Sequence, residues 1–141
     1  MNHNLRARAW FRLAAAYFAV GVMLGVAMGA SGDHSLFPVH AHINLLGWVS
    51  MALFGLIGTV YPSITEGRVA AAQFWMHNVG VPVMLVALML RIKGVQSVEP
   101  LIGIASIVVG CSVLLFAWLV FARIGARVES QSPAMREARA S

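Results

Sequence analysis

HAHINLLGWVSMALFGLIGTVYP, residues 40–62, places two histidines, His40 and His42, at the mouth of an apolar run of membrane-spanning length. Imidazole is costly near a hydrocarbon core. It is usually kept there by a partner: another polar group, a proton path or a metal. Neutral imidazole is also the commonest protein ligand of transition metals and a frequent axial ligand of heme iron.

Working outward, the composition is that of a membrane protein. The chain of 141 residues is 60% hydrophobic and 11% charged, with mean hydropathy +0.80. Soluble domains carry about 25% charged residues. The apolar residues fall in four blocks, about 11–30, 43–61, 74–90 and 101–121, whose one charged side chain is Arg12. Each approaches the ~20 helical residues that cross a bilayer. A barrel would instead alternate in segments of about 10 residues. The expectation is an all-α integral membrane four-helix bundle in residues 1–127, with no room for a second domain. Residues 128–141 read as a mobile cytoplasmic tail able to touch anionic lipid. The first block exceeds the ~7–15 residues of a signal-peptide core and is read as a retained helix. Cys111 is the single cysteine, which excludes an intrachain disulfide and an iron–sulfur cluster.

Basic residues set the orientation. Arg6, Arg8, Arg12, Arg68, Arg123, Arg127, Arg136 and Arg139 fall on one side, and Arg91 and Lys93 on the other. Both termini are therefore expected in the cytoplasm of a bacterial-type inner membrane, with the protein multi-pass. Trp10, Trp75 and Trp118 should mark the cytoplasmic interface. The net charge of +5 reflects this asymmetry and gives no reason to invoke nucleic acid. Gly21, Gly25 and Gly29 form a small-residue stripe that suits close helix packing, within the bundle or between copies.

On a helix, His40 and His42 are ~200° apart and serve opposite faces. His40 shares its stripe with Asn44, Gly47, Met51, Gly55 and Gly58, a face suited to a flat ligand. His42 shares its stripe with Leu45, Leu46, Val49 and Leu53, an apolar wall. The alternative is a pair of interfacial histidines bonded to carbonyls and water. His77, read as one turn inside the third span and far in depth from His40 and His42, is taken first as a structural residue satisfied by Asn78 or Trp75, and second as a heme ligand. His34 and Asp33 lie in the outer connection.

His40-Ala-His42, with Leu46-Gly47-Trp48-Val49, Gly55, Tyr61 and Pro62, resembles the tenth helix of the catalytic subunit of heme-copper oxidases, most closely the C-type cytochrome oxidases. Gln73-Phe74-Trp75 and Gly80 resemble the start of that family's next helix. The resemblance covers about half the chain and implies that His40 matches the ligand of the active-site heme and His42 that of the low-spin heme. It also implies that Arg91 and Lys93 could face heme propionates. The family subunit has twelve helices, and its copper ligands and second low-spin ligand come from helices without counterparts here. A complete oxygen-reducing centre in one chain is therefore not implied, and turnover is left open.

The resulting expectation is a heme b protein that binds iron through His42, His40 or both, for electron transfer with a redox partner or for binding nitric oxide or oxygen. A homo-oligomer would supply missing walls, a trimer by analogy with the family's three arcs of four helices, or a dimer. Two rival readings stand beside it. One is an accessory or assembly subunit of a respiratory complex. The other is a copper- or zinc-handling membrane protein using His34, His40 and His42.

Overall fold

The computed structural model describes residues 3–124; the expected tail, with Arg127, Arg136 and Arg139, lies outside the described residues. Every regular element among them is helical, and four helices are long and apolar enough to cross a membrane: Leu5–Ser31, Phe37–Val60, Gly67–Ile92 and Gln96–Ile124. The first is α1 (His3–Ser31). The second is composite: α2 (Phe37–His42), a π-helical segment (Ile43–Val49) and α3 (Ser50–Val60). A 3₁₀ turn, Pro62–Thr65, leads into α4 (Gly67–Ile92), and Gln96–Val98 leads into α5 (Glu99–Ile124).

Local chemistry sets these limits. Pro38 sits in the first turn of α2, where a missing N–H costs nothing. Pro62 pushes Tyr61 out of helical geometry, to φ −123° and ψ 79°, and α3 stops at Val60. Gly94 ends α4 with φ +97°, a conformation that disfavours any Cβ, while Val95 N–H returns to Leu90 O at 3.0 Å. Helix α4 runs through Pro82 without interruption.

The spans form two antiparallel hairpins. Trp10 and Phe11 meet Gly55, Tyr17 meets Gly47, Asn44 meets Gly21 and His40 meets Gly25, so partners descend the second span as α1 ascends. Likewise Gly80 meets Val109 while His77 bonds Ser112. Trp10 joins the hairpins, with ring centroids 4.7 Å from Phe74 and 5.2 Å from Phe54. One buried cluster comprises Trp10, Ala14, Met51, Phe54 and Phe74; another comprises Val39, Ile43, Val81, Leu85 and Val109. Large apolar side chains, Met23, Leu53, Val79 and Leu114 among them, cover the outside.

Both ends of the described chain come to the same end of the bundle. There Arg6 donates to Thr65 O, and Arg123 donates to Ser63 O and, at 2.8 Å, to Glu66 O. Two arginines from the outermost spans thus grip the central connection.

Three expectations change. Trp10 is 1% exposed and belongs to the core, whereas Trp75 and Trp118 are exposed. Arg6, counted as a flanking charge, is buried because the turn carbonyls offer it acceptors. The helices also begin before their apolar blocks, at residues 3, 37, 67 and 99, with exposed charged residues such as Arg8, Arg68 and Glu99 remaining helical at the flanks.

Candidate functional site around the histidines of the second span

The glycines of α1 receive the polar side chains of the second span. A Cβ on Gly25 would stand 3.0 Å from His40 Cε1, and one on Gly21 would stand 2.8 Å from Asn44 Oδ1. Asn44 Nδ2 donates to His40 O at 2.8 Å and lies 3.4 Å from His40 Nε2. His40 and Asn44 therefore form one partly buried polar pair on the α1 face. The rest of that face is occupied. Tyr17 covers Gly47, Trp10 and Phe11 cover Gly55, and Thr65 covers Gly58. The small residues expected to admit a flat ligand instead admit α1.

His42 faces elsewhere. Its Nδ1 lies 2.7 Å from Pro38 O, one turn back. A carbonyl can only accept, so Nδ1 carries the proton and neutral His42 keeps an unprotonated Nε2. Such a second-atom hydrogen bond is the usual way that a metal-binding imidazole is oriented. Along the His42 side, Leu45, Val49 and Leu53 are exposed, so this apolar wall is on the outside of the bundle. Among the described residues, apolar grooves of about 240, 360 and 130 Å³ flank α4, and no histidine lines these.

His77 is fully buried and lies ten residues beyond the start of α4. Its partners are Ser112 Oγ, 2.8 Å from Nδ1, and Leu46 O, 3.0 Å from Nε2. They replace the Asn78 and Trp75 expected from sequence; Asn78 Nδ2 donates instead to Phe74 O at 2.8 Å. The rings of Phe54 and Trp10 stand nearly perpendicular to His77, with centroids 5.1 and 5.6 Å away. The expected separation in depth from His42 shrinks accordingly, because His77 bonds a residue one turn beyond it. Ser112 escaped notice in the sequence, although a hydroxyl inside a largely apolar block was the available signal.

The Leu46 carbonyl is available because the helix widens here. In an α-helix Ser50 N–H would bond Leu46 O. In the π segment it bonds Leu45 O, which Ser50 Oγ also reaches at 2.7 Å.

At the opposite end from the arginine grip, Arg91 Nε stands 3.7 Å from Glu99 Oε2, and Lys93 is exposed at the end of α4. An anion at Arg91 would share the guanidinium with Glu99. Asp33 Oδ1 accepts Ser35 N–H at 2.9 Å, which holds its carboxyl below the usual range, with Lys93 and His34 acting in the same direction. Among the described residues no three His, Cys, Asp or Glu side chains converge, so His34, His40 and His42 do not form a three-ligand metal site. No family model, curated protein or solved structure matches this chain.

Proposed function

We propose that this chain is a multi-pass inner-membrane protein that binds heme b through Nε2 of His42, in an assembly of identical copies. The observation that carries this reading is the His42–Pro38 hydrogen bond, which leaves Nε2 as the coordinating nitrogen. The wall of Leu45, Val49 and Leu53 suits an apolar macrocycle and is open to a neighbour. A bound heme would supply one-electron transfer or an iron site for a diatomic gas. The chain's contribution is the orientation of the imidazole and the exclusion of water by the wall. Arg91 and Lys93 stand at the same end as His42 and supply positive charge there for propionates, in competition with Glu99. The charge asymmetry puts the arginine-gripped end in the cytoplasm.

The test is an absorption spectrum of protein purified in mild detergent with heme supplied, oxidised and reduced, beside its solution mass. A Soret band that is lost in His42→Ala, in a dimer or trimer, is the expected result. A colourless protein would sink the heme reading. A stable monomer with full heme would remove the shared-interface part. Reporter fusions at the C-terminus read the orientation, and an external signal would reverse it. The accessory-subunit reading is favoured by one observation, the packing of His40 against Gly25. It predicts co-purifying larger partners and indifference to His42→Ala.

A further inference from the structure

We propose that His77 is a positioning residue: by holding the Leu46 carbonyl it fixes the π-turn, and so fixes the rotation of His40 and His42 about the axis of the second span. Only the consequence for iron rests on the heme reading above; the rotation itself does not.

Two ladders compete at this turn. In the observed one, Ser50 N–H bonds Leu45 O and the Leu46 carbonyl is released to His77 Nε2 at 3.0 Å. In the other, Ser50 N–H returns to Leu46 O and the segment becomes α-helical. Absorbing one residue into a regular α-helix turns one side of the junction against the other by about 100°. The lower side is anchored. Met51 is 0% exposed, and Gly47, Gly55 and Gly58 are covered by Tyr17, Trp10 and Thr65. The upper side, from His40 to Asn44, is the side that would turn. His40 would then leave Gly25, Asn44 would leave Gly21, and His42 would point away from its present wall.

His77 is built to choose the first ladder. A neutral ring has one N–H, and the carbonyl at Nε2 requires it. Nδ1 is then left as an acceptor facing the Ser112 hydroxyl at 2.8 Å, on the neighbouring span, where Val109 O, also 2.8 Å from that hydroxyl, competes for its single proton. Trp10 and Phe54 stand at 71° and 78° to the ring, packed on a side chain that is fully buried. The third and fourth spans therefore present one aimed donor to one released acceptor on the second.

The experiment is disulfide trapping without heme. The chain carries Cys111→Ser, Gly21→Cys and Asn44→Cys, positions that face each other above the π-turn. It is oxidised in lipid nanodiscs and the intrachain cross-link is timed on gels. Phe11→Cys with Gly55→Cys, below the turn, is the control pair. His77→Ala should slow the upper cross-link about tenfold, the factor expected when one buried acceptor loses its donor, and leave the control unchanged. His77→Gln, whose amide can still donate, should recover most of the rate. Deleting Leu45 in the His77→Ala chain removes the extra residue and returns Ser50 N–H to Leu46 O, so it should restore the cross-link even if His77→Ala alone does not fold. An unchanged upper cross-link in His77→Ala overturns the proposal. So does failure of the deletion to restore it. Heme-loaded samples add an electron-paramagnetic signature of the axial ligand, expected to shift in His77→Ala. A cross-link that responds in a protein that never takes up heme would leave the clasp standing and remove the heme reading alone.

Discussion

Nε2 of His77 stands 3.0 Å from the carbonyl oxygen of Leu46, so the third span holds the second at the turn where its helical ladder changes pitch. This bond couples the two hairpins through their shared core. Its removal has two costs, loss of the donor that holds the Leu46 carbonyl in this ladder and a cavity between Trp10 and Phe54. Together they should lower stability by about 3 kcal/mol in His77→Ala. Ser112→Ala should cost about 1 kcal/mol, because Nδ1 loses the one hydroxyl beside it, which it already shares with Val109 O. Denaturant titration of the detergent-solubilised protein measures both. Equal losses in the two variants would contradict this ranking.

Glycines on α1 and the second span divide into filled and empty positions. A Cβ at Gly47 would overlap the Tyr17 ring, whereas one at Gly29 would meet nothing within 4 Å. Gly47→Ala should therefore cost about 1–3 kcal/mol by overpacking. Gly29→Ala should be neutral or stabilising by up to about 1 kcal/mol, since alanine is the better helix former. Thermal melts of the pair would show the contrast. A tolerated Gly47→Ala would mean that α1 can draw back from the second span.

The connection at Pro62–Thr65 depends on side chains remote in sequence. Arg6→Ala should cost about 2 kcal/mol, the range for a hydrogen bond to a charged group, and Arg6→Lys should recover only part. Hydrogen exchange at Ile64, whose N–H bonds Tyr61 O at 3.0 Å, reports the loosening directly. Unchanged protection there in Arg6→Ala would show that Arg123 is sufficient by itself.

Gln73 is buried, and its Nε2 has no hydrogen-bond partner among the described residues. An apolar side chain of similar size removes that desolvation cost. Gln73→Met should stabilise the protein by about 1 kcal/mol. A loss of stability in the same titration would reveal a partner for the amide.

Asp33 gives the outer connection its acid sensitivity. The Ser35 amide favours the charged form and lowers the folded pKa. The contribution is present above the ordinary carboxylate value of about 3.9, and it disappears as pH falls through the lower folded value. Asp33→Asn should flatten the acid limb of the stability profile and leave the neutral region little changed. An unaltered acid limb would assign that sensitivity to other carboxyls.

The four spans were legible because a soluble fold has no use for four uninterrupted apolar blocks of membrane length. Packing of Gly21 and Gly25 was also legible, since small residues at a four-residue spacing present one flat face. The identity of what lies on that face was not, because His40 and Asn44 are named only by the antiparallel register. The π-turn left no signal in Ile43–Val49. It depends on a donor 31 positions away in sequence, and local propensity cannot encode such a partner. Trp10 was misread because an indole near a span end suits either lipid headgroups or a core. Phe54, Phe74 and His77 decided between the two.

The arginine grip on the central turn also bears on how the chain is made. Arg6 emerges from the ribosome early and Arg123 late, yet both donate to carbonyls within Ser63–Glu66. Neither grip can close until the corresponding span is in place, and the second requires the last helix. A chain stalled after three spans leaves the Ser63 and Glu66 carbonyls without the Arg123 guanidinium. Closure of that turn therefore waits on the last helix, so the carbonyls of the central connection gain both guanidinium donors only once all four spans have come together.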